Sequence, residues 1–248
     1  MKNAKIIIRL FLALLIAQQA FTQNNNISSN YIFNTISMNE GLPLNFVDDI
    51  IKDSKGFIWV ATQGGGLSRY DGYEFVSFNV SSEPISLKSN FIRNITEDDF
   101  GRLWVVSNNG VDIIDLTKMA NCQVVCKNKT FEILLNKSAD VIYNDKKGSI
   151  WILTNNDIHK LNFDKNGNIT DIFSNGTNLP SNLFSTISEI GEETWVGNNG
   201  GIYKIEESQT DTLLFHPVPG IPHFGENVFI SGILQMKDII WIGTENGL

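Results

Sequence analysis

The 248 residues include only two cysteines and three histidines. Two cysteines close at most one disulfide and cannot build a four-cysteine zinc site. Positive charge is scarce as well. Lys and Arg total 19 against 27 Asp and Glu, a formal net charge of −8, which excludes a nucleic-acid face built on broad positive potential. No uninterrupted apolar run reaches the roughly 18 residues of a membrane-spanning helix. Gly-x-Ser-x-Gly and His-Glu-x-x-His are both missing, and two hydrolase signatures go with them. The run Gly64-Gly65-Gly66 opens a strand-like segment and not a helix, so it is no phosphate cradle. What remains is an ordinary globular mixture, 42% hydrophobic and 19% charged, too apolar for wholesale disorder.

The beginning of the chain reads as an address. Lys2, Lys5 and Arg9 precede the short apolar stretch Leu10 to Ala17, and small or polar residues follow from Ala20 to Thr22. Residues 1–22 are expected to be a secretory signal peptide and 23–30 a polar tether, placing residues 31–248 in the periplasm. An oxidising compartment permits a disulfide. Cys122 and Cys126 could pair within a loop; in an extended strand they would stand about 13 Å apart, out of bonding range.

The strongest signal is a repeat. Trp59, Trp104, Trp151, Trp195 and Trp241 are spaced 45, 47, 44 and 46 residues apart. An Asp-x-x-Gly turn precedes the first three, ending at Gly56, Gly101 and Gly148. There Asp bonds its own backbone and Gly takes the positive φ. A short β-rich run surrounds each Trp. An Asn-rich or Gly-rich turn follows, of the type I′ kind for Asn-Gly, and then a further strand. A preceding strand is expected near Phe46 to Lys52, with counterparts at Phe91 to Glu97, Asp140 to Tyr143, Leu183 to Ile190 and Val228 to Gln235. Asn45, Asn90, Asn182 and Asn227 introduce four of these, and Ala139 the third in order. Four short antiparallel strands in about 45 residues is a propeller blade. Helical repeats fit poorly, because Gly and Asn recur in every unit. The expected class is therefore an all-β propeller with about four and a half blades present, the five Trp packing between blades as structural residues. By repeat phase the fifth blade has its first two strands, and Tyr31 to Ile36 reads as an outermost strand completing a last blade. The chain thus reads as an incomplete arc of a larger, seven-bladed parent, prone to association.

The string Asp53-Ser-Lys-Gly56-Phe-Ile-Trp59-Val-Ala-Thr62, with Gly66-Leu67-Ser-Arg69-Tyr70-Asp71-Gly72 behind it and Gly41-Leu42-Pro43-Leu44-Asn45 ahead, resembles the two-component regulator propeller repeat. The third copy departs from the pattern at Asp157 and the fourth lacks the Asp-x-x-Gly lead. The resemblance implies the N-terminal part of a periplasmic sensor region of a hybrid two-component system. It further implies an oligosaccharide ligand, further blades and a membrane-anchored histidine kinase as partners, and a dimeric parent. The phosphorelay and DNA-binding parts of such a parent are outside this chain, so no catalytic residue and no cofactor carries over.

Other chemistry is thin. Asn162-x-Asp164-x-Asn166-Gly167 resembles the start of a calcium loop, but Phe173 occupies the twelfth position, where a bidentate Glu belongs; a hairpin turn is the better reading. His159 falls on a strand, and His216 and His223 flank a proline-rich connection without a third ligand. One face of a propeller collects the middle hairpin turns and the blade connections, here Asn108, Asn109, Asn155, Asn156, Asn198, Asn199 and Asn246 with loops 79–90, 129–138, 174–182 and 216–227. Asn side chains suit sugar hydroxyls, so Asn109, Asn156 and Asn199, with Phe224 as a stacking ring, are the candidate ligand contacts. The expected function is a non-enzymatic sensor. A secreted lyase-like propeller enzyme or a structural, adhesive propeller is the alternative.

Overall fold

Each β-rich run around a tryptophan is flanked by turn residues within a few positions, so the chain has length only for short strands that must pair locally. The computed structural model describes residues 33–248 except 127, 155, 176–183, 226–227 and 248. The expected signal peptide and tether, and Asn155, Asn182 and Asn227, lie outside the described residues. Four blades are four-stranded and antiparallel in up-and-down order, the third and fourth joined into one eight-stranded sheet. The first holds β1 (Val47–Lys52), β2 (Ile58–Thr62), β3 (Gly66–Tyr70) and β4 (Phe75–Phe78). The second holds β5 (Ile92–Glu97), β6 (Arg102–Ser107), β7 (Gly110–Asp115) and β8 (Ala120–Asn121). The third holds β9 (Val141–Asn144), β10 (Ile150–Leu153), β11 (Ile158–Phe163) and β12 (Ile169–Asn175). The fourth holds β13 (Thr186–Ile190), β14 (Glu193–Gly197), β15 (Ile202–Glu207) and β16 (Thr212–Pro217), and β17 (Ile230–Met236) pairs with β18 (Ile239–Thr244). The first strands of successive sheets touch one another, β1 to β5, β5 to β9, β9 to β13 and β13 to β17. They therefore line a common axis from which the sheets radiate. This is a β-propeller arc. The third and fourth blades also join at their rims, where β12 and β16 pair in parallel through Ser174 with Thr212 and Asn175 with Leu213.

The tryptophans cement neighbouring blades. Trp59 is fully buried against Ile95, Leu103, Val105 and Ile114 of the second blade. Trp104 packs on Ile142, Ile150 and Leu161 of the third, Trp151 on Ile187, Val196 and Ile205 of the fourth, and Trp195 on Ile230 and Ile233 of the fifth. Burying one indole this way is worth about 5 kcal/mol of transfer free energy before opposing terms. Trp241 differs from the expectation: it is 43% exposed, because the cluster of the preceding junction does not reach it and no further blade face covers it among the described residues.

The same carboxylate that shapes each turn also satisfies the indole. Asp53 Oδ1 accepts from the N–H groups of Lys55 and Phe57, while Oδ2 accepts from Trp59 Nε1 at 2.8 Å. Asp98 and Asp145 repeat this with Trp104 at 2.7 Å and Trp151 at 2.9 Å. Gly56, Gly101 and Gly148 close these turns at φ of +95°, +70° and +79°. The fourth blade lacks the turn aspartate, and Glu193 takes the Trp195 indole from within β14 at 3.0 Å.

Three local expectations are corrected. The middle turns are not type I′, which needs positive φ at both central residues. Asn108 and Asn109 are not among the positive-φ residues; only Gly110, at +131°, is. A side chain three residues after each Trp closes the turn instead, as where Ser107 Oγ donates to the Gly110 carbonyl at 3.0 Å. The connection 129–138 contains a helix, α1 (Lys129–Leu135). Asn128 caps it by accepting from Thr130 N–H, and Phe131 and Leu134 turn inward against Trp104 and Val111. Finally, Phe33 to Ile36 does not form a strand. The Ser37 and Glu40 side chains and backbones bond reciprocally and commit the chain to a 3-10 turn, Met38–Glu40.

Gly110 opens β7 where a Cβ would strike the Leu135 carbonyl at the end of α1. Gly110→Ala combines that contact with a φ that L-residues avoid, and is expected to cost about 2 kcal/mol. A lowered urea midpoint with an unchanged slope would show it; a midpoint equal to the parent's would contradict it.

Candidate functional site: the axial mouth

The middle hairpins of the first and fourth blades hold the lead-in of the next blade. The N–H groups of Gly64 and Gly66 donate to the Asn90 carbonyl at 2.9 and 3.0 Å, and Gly200 N–H donates to the Val228 carbonyl at 2.8 Å. These clamps fix Phe91, which bridges to Gln63, and Phe229, which bridges to Asn199. The result is an arc of inner-strand starts around the axis, bordering a concavity of about 680 Å³. Phe91 and Phe229 line it with 54% and 47% of their surface exposed. Phe184 also lines it but is buried and stacks on Phe215 at 5.7 Å.

The polar lining is held from the same elements. Gln63 Nε2 donates to Asp48 Oδ1 at 2.7 Å. Arg93, on β5, forms an ion pair with Asp140, just before β9, so the pair spans the second and third blades. Asn108 Oδ1 accepts from Ser89 Oγ at 2.5 Å, and Ser185 Oγ donates to the Ile230 carbonyl at 2.6 Å. Large apolar rings beside a few fixed donors and acceptors are the make-up of a small-ligand site.

Of the residues singled out from sequence, Asn108 lines the mouth, whereas Asn109, Asn156, Asn199 and Phe224 do not. Asn109 is exposed and donates to the Lys88 carbonyl at 3.1 Å. Asn156 is exposed, and Asn199 is half-buried beneath Phe229 through their bridge. Phe224 is half-buried against the Ile190, Trp195 and Ile202 cluster, its N–H donating to the Gly200 carbonyl at 2.8 Å. Its ring belongs to the packing of the fourth junction. Phe91 and Phe229, and the Asp48, Arg93 and Asp140 charges, escaped notice. A signal existed: a Phe stands immediately before β1, β5 and β17, at Phe46, Phe91 and Phe229.

None of the three histidines lines the mouth. His159 lies buried in β11, with Nδ1 2.9 Å from Ser174 Oγ. His216 Nε2 lies 3.4 Å from Glu206, and His223 Nδ1 accepts from Gly225 N–H. The Asn162 to Asn168 segment is the β11–β12 hairpin, with Asp164 Oδ1 accepting from the N–H groups of Asn166 and Asn168 at 2.8 and 3.0 Å. No group of three or more metal-ligating side chains occurs among the described residues. Cys122 and Cys126 are free thiols, and burial pushes the Cys122 thiol above its usual range. No helix of the described residues is long and apolar enough to cross a membrane.

The family described as two component regulator propeller matches residues 41–64 and 86–109. Those two stretches, and not the whole chain, are what is similar to the two-component regulator propeller. The two matched segments run from the lead-in of the first and second blades to their middle turns, the parts that hold Asp53 with Trp59 and Asp98 with Trp104. Among solved structures, the extracellular domain of the hybrid two component system BT3049 from B. thetaiotaomicron is similar at a TM-score of 0.67 and 22% identity, over 88% of this chain and 30% of that one. The extracellular domain of BT4673 from the same organism is similar at 0.59 and 21% identity, over 82% of this chain and 28% of that one. This chain thus spans less than a third of either solved domain. Virginiamycin B lyase from Staphylococcus aureus is similar at 0.56 and 16% identity, over 81% of this chain and 64% of that one. At these identities the likeness is one of fold. A comparison with curated proteins gives no match.

Proposed function

We propose that this propeller is the ligand-recognising part of an exported two-component sensor, and that it takes an oligosaccharide at the axial mouth. The observation that carries this reading is the concavity of about 680 Å³ on which Phe91 and Phe229 expose their rings beside Asp48, Arg93 and Asp140. A volume of that size lies within the range of small-ligand sites. The two stretches similar to the two-component regulator propeller support a role in signalling. The kinase that would receive the signal, the periplasmic location and a dimeric parent are part of the same proposal. Asn109, Asn156 and Asn199, on the surrounding turns, are the side chains that a longer glycan would reach after the mouth is filled.

A catalytic role is the alternative that the lyase neighbour brings to mind. The mouth favours binding, because its carboxylates are tied to Gln63 and Arg93 and a general acid or base needs a positioned group free to exchange its proton. Titration of the chain with an oligosaccharide panel tests the proposal. Binding should appear for at least one glycan and weaken about tenfold or more in the Phe91→Ala, Phe229→Ala double variant, since one stacked ring is worth roughly 1–2 kcal/mol. Undiminished binding in that variant would move the site elsewhere. Release of a cleaved product would favour the lyase.

A further inference from the structure

The mouth carries three charged side chains, and their arrangement bears on what kind of oligosaccharide it accepts. Arg93 is the only cation among its described lining residues. Its guanidinium is taken by Asp140 across the junction of the second and third blades, with Asp140 only 17% exposed. The other charge, Asp48, is anionic and bonded to Gln63. An incoming carboxylate or sulfate therefore meets no unpaired cation, one uncompensated aspartate, and the field of a chain whose net charge is −8. A neutral ring meets none of these costs: its face stacks on Phe91 or Phe229 and its hydroxyls bond to groups that are already oriented. Rejection by placed like charge is a common route to specificity.

We propose that the Arg93–Asp140 pair sets the ligand class of the mouth: neutral oligosaccharides enter, and uronate-bearing or sulfated ones are excluded. This rests on the reading of the mouth as a glycan site. Asp140 is the specificity-determining residue, acting by occupying Arg93, and Arg93 becomes an anion receptor only when that partner is neutralised. Asp140→Asn leaves a side chain of the same size and frees the guanidinium at the mouth.

The test is calorimetric titration of the parent chain and of Asp140→Asn with length-matched neutral xylo-oligosaccharides and cello-oligosaccharides, oligogalacturonides and sulfated heparin-derived oligosaccharides. The parent is expected to bind a neutral member at least tenfold more tightly than any anionic one. Asp140→Asn is expected to gain at least tenfold for an anionic member, and added salt should erase that gain. Phe91→Ala, whose position is already half exposed, reports whether a given binding event occurs at the mouth. If the parent binds an anionic member best and Phe91→Ala abolishes it, the charge argument falls while the glycan site stands. If Asp140→Asn retains its thermal transition yet gains nothing for anions, Asp140 is not the determinant and the proposal is overturned. If no member binds either protein, both the proposal and the glycan reading fail.

Discussion

Replacing Asp98 with alanine is expected to destabilise the fold by on the order of 3–5 kcal/mol, more than any other single turn substitution. Asp98 is 4% exposed. Its Oδ1 accepts from the N–H groups of Phe100 and Arg102, and its Oδ2 from Arg102 Nε at 2.6 Å and Trp104 Nε1 at 2.7 Å. Alanine leaves all four donors short of an acceptor, and the arginine is the costly one. Its side chain is 12% exposed and lies over the rings of Phe100 and Phe163 at 4.9 and 5.1 Å. The bond from its Nη1 to the Gly167 carbonyl remains, but a carbonyl dipole does not neutralise a cation held among rings. Asp53→Ala removes the equivalent turn and indole bonds, but Arg69 beside them, over the Phe57 ring, is not ion-paired to Asp53, so about 2 kcal/mol is expected there. Urea unfolding followed by tryptophan fluorescence measures both. Equal losses for the two variants would show that the ion pair adds nothing; a loss under about 1 kcal/mol at Asp98 would show that the turn is held by other means.

The contrast between those aspartates shows where sequence reading reached its limit. Asp53 and Asp98 occupy the same place in the same motif, and their turn-forming role follows from spacing alone. So do the strand order, the positive φ of Gly56, Gly101 and Gly148, and the blade period, because each is set by residues within a few positions of one another. The second task of the aspartate, accepting the indole, depends on the ring folding back across its own hairpin, which no linear pattern displays. Helix α1 was missed because seven residues are too few for a helical period to stand out; only Asn128 ahead of it and the inward pair Phe131 and Leu134 mark it. The parallel contact of β12 with β16 joins residues far apart in the chain and leaves no pattern in either. The mouth lies beyond such reading for the same reason. Arg93 and Asp140 belong to different repeats, and neither is conspicuous until two blades stand side by side. The asparagines drew notice as residues that can bond sugars, yet Asn108 Oδ1 already accepts from Ser89 Oγ and Asn109 Nδ2 donates to the Lys88 carbonyl.

The other large effect is a dependence of stability on acidity. His159 sits in β11, 6% exposed, and burial lowers its pKa from 6.5 to about 4. Asp157 nearby works in the opposite direction and Lys137 in the same one. The folded protein therefore keeps this imidazole neutral where the unfolded chain protonates it. Between pH 6.5 and about 4 the unfolded state binds the extra proton, so stability falls as pH falls through that window and the loss is complete below about pH 4. The full difference is on the order of 3 kcal/mol, most of it spent by about pH 4.5. Asp49 and Asp112, whose carboxyls burial pushes upward, act with the opposite sign, since the folded state holds their protons more firmly than the unfolded chain. The contribution of His159 is isolated by comparison with His159→Leu, which leaves Ser174 Oγ without its ring partner at every pH but removes the titrating group. The parent should lose about 2–3 kcal/mol more than His159→Leu between pH 7 and pH 4.5. Parallel pH profiles for the two proteins would show that the imidazole is hydrated in the folded state, and that the third blade admits water where β11 meets β12.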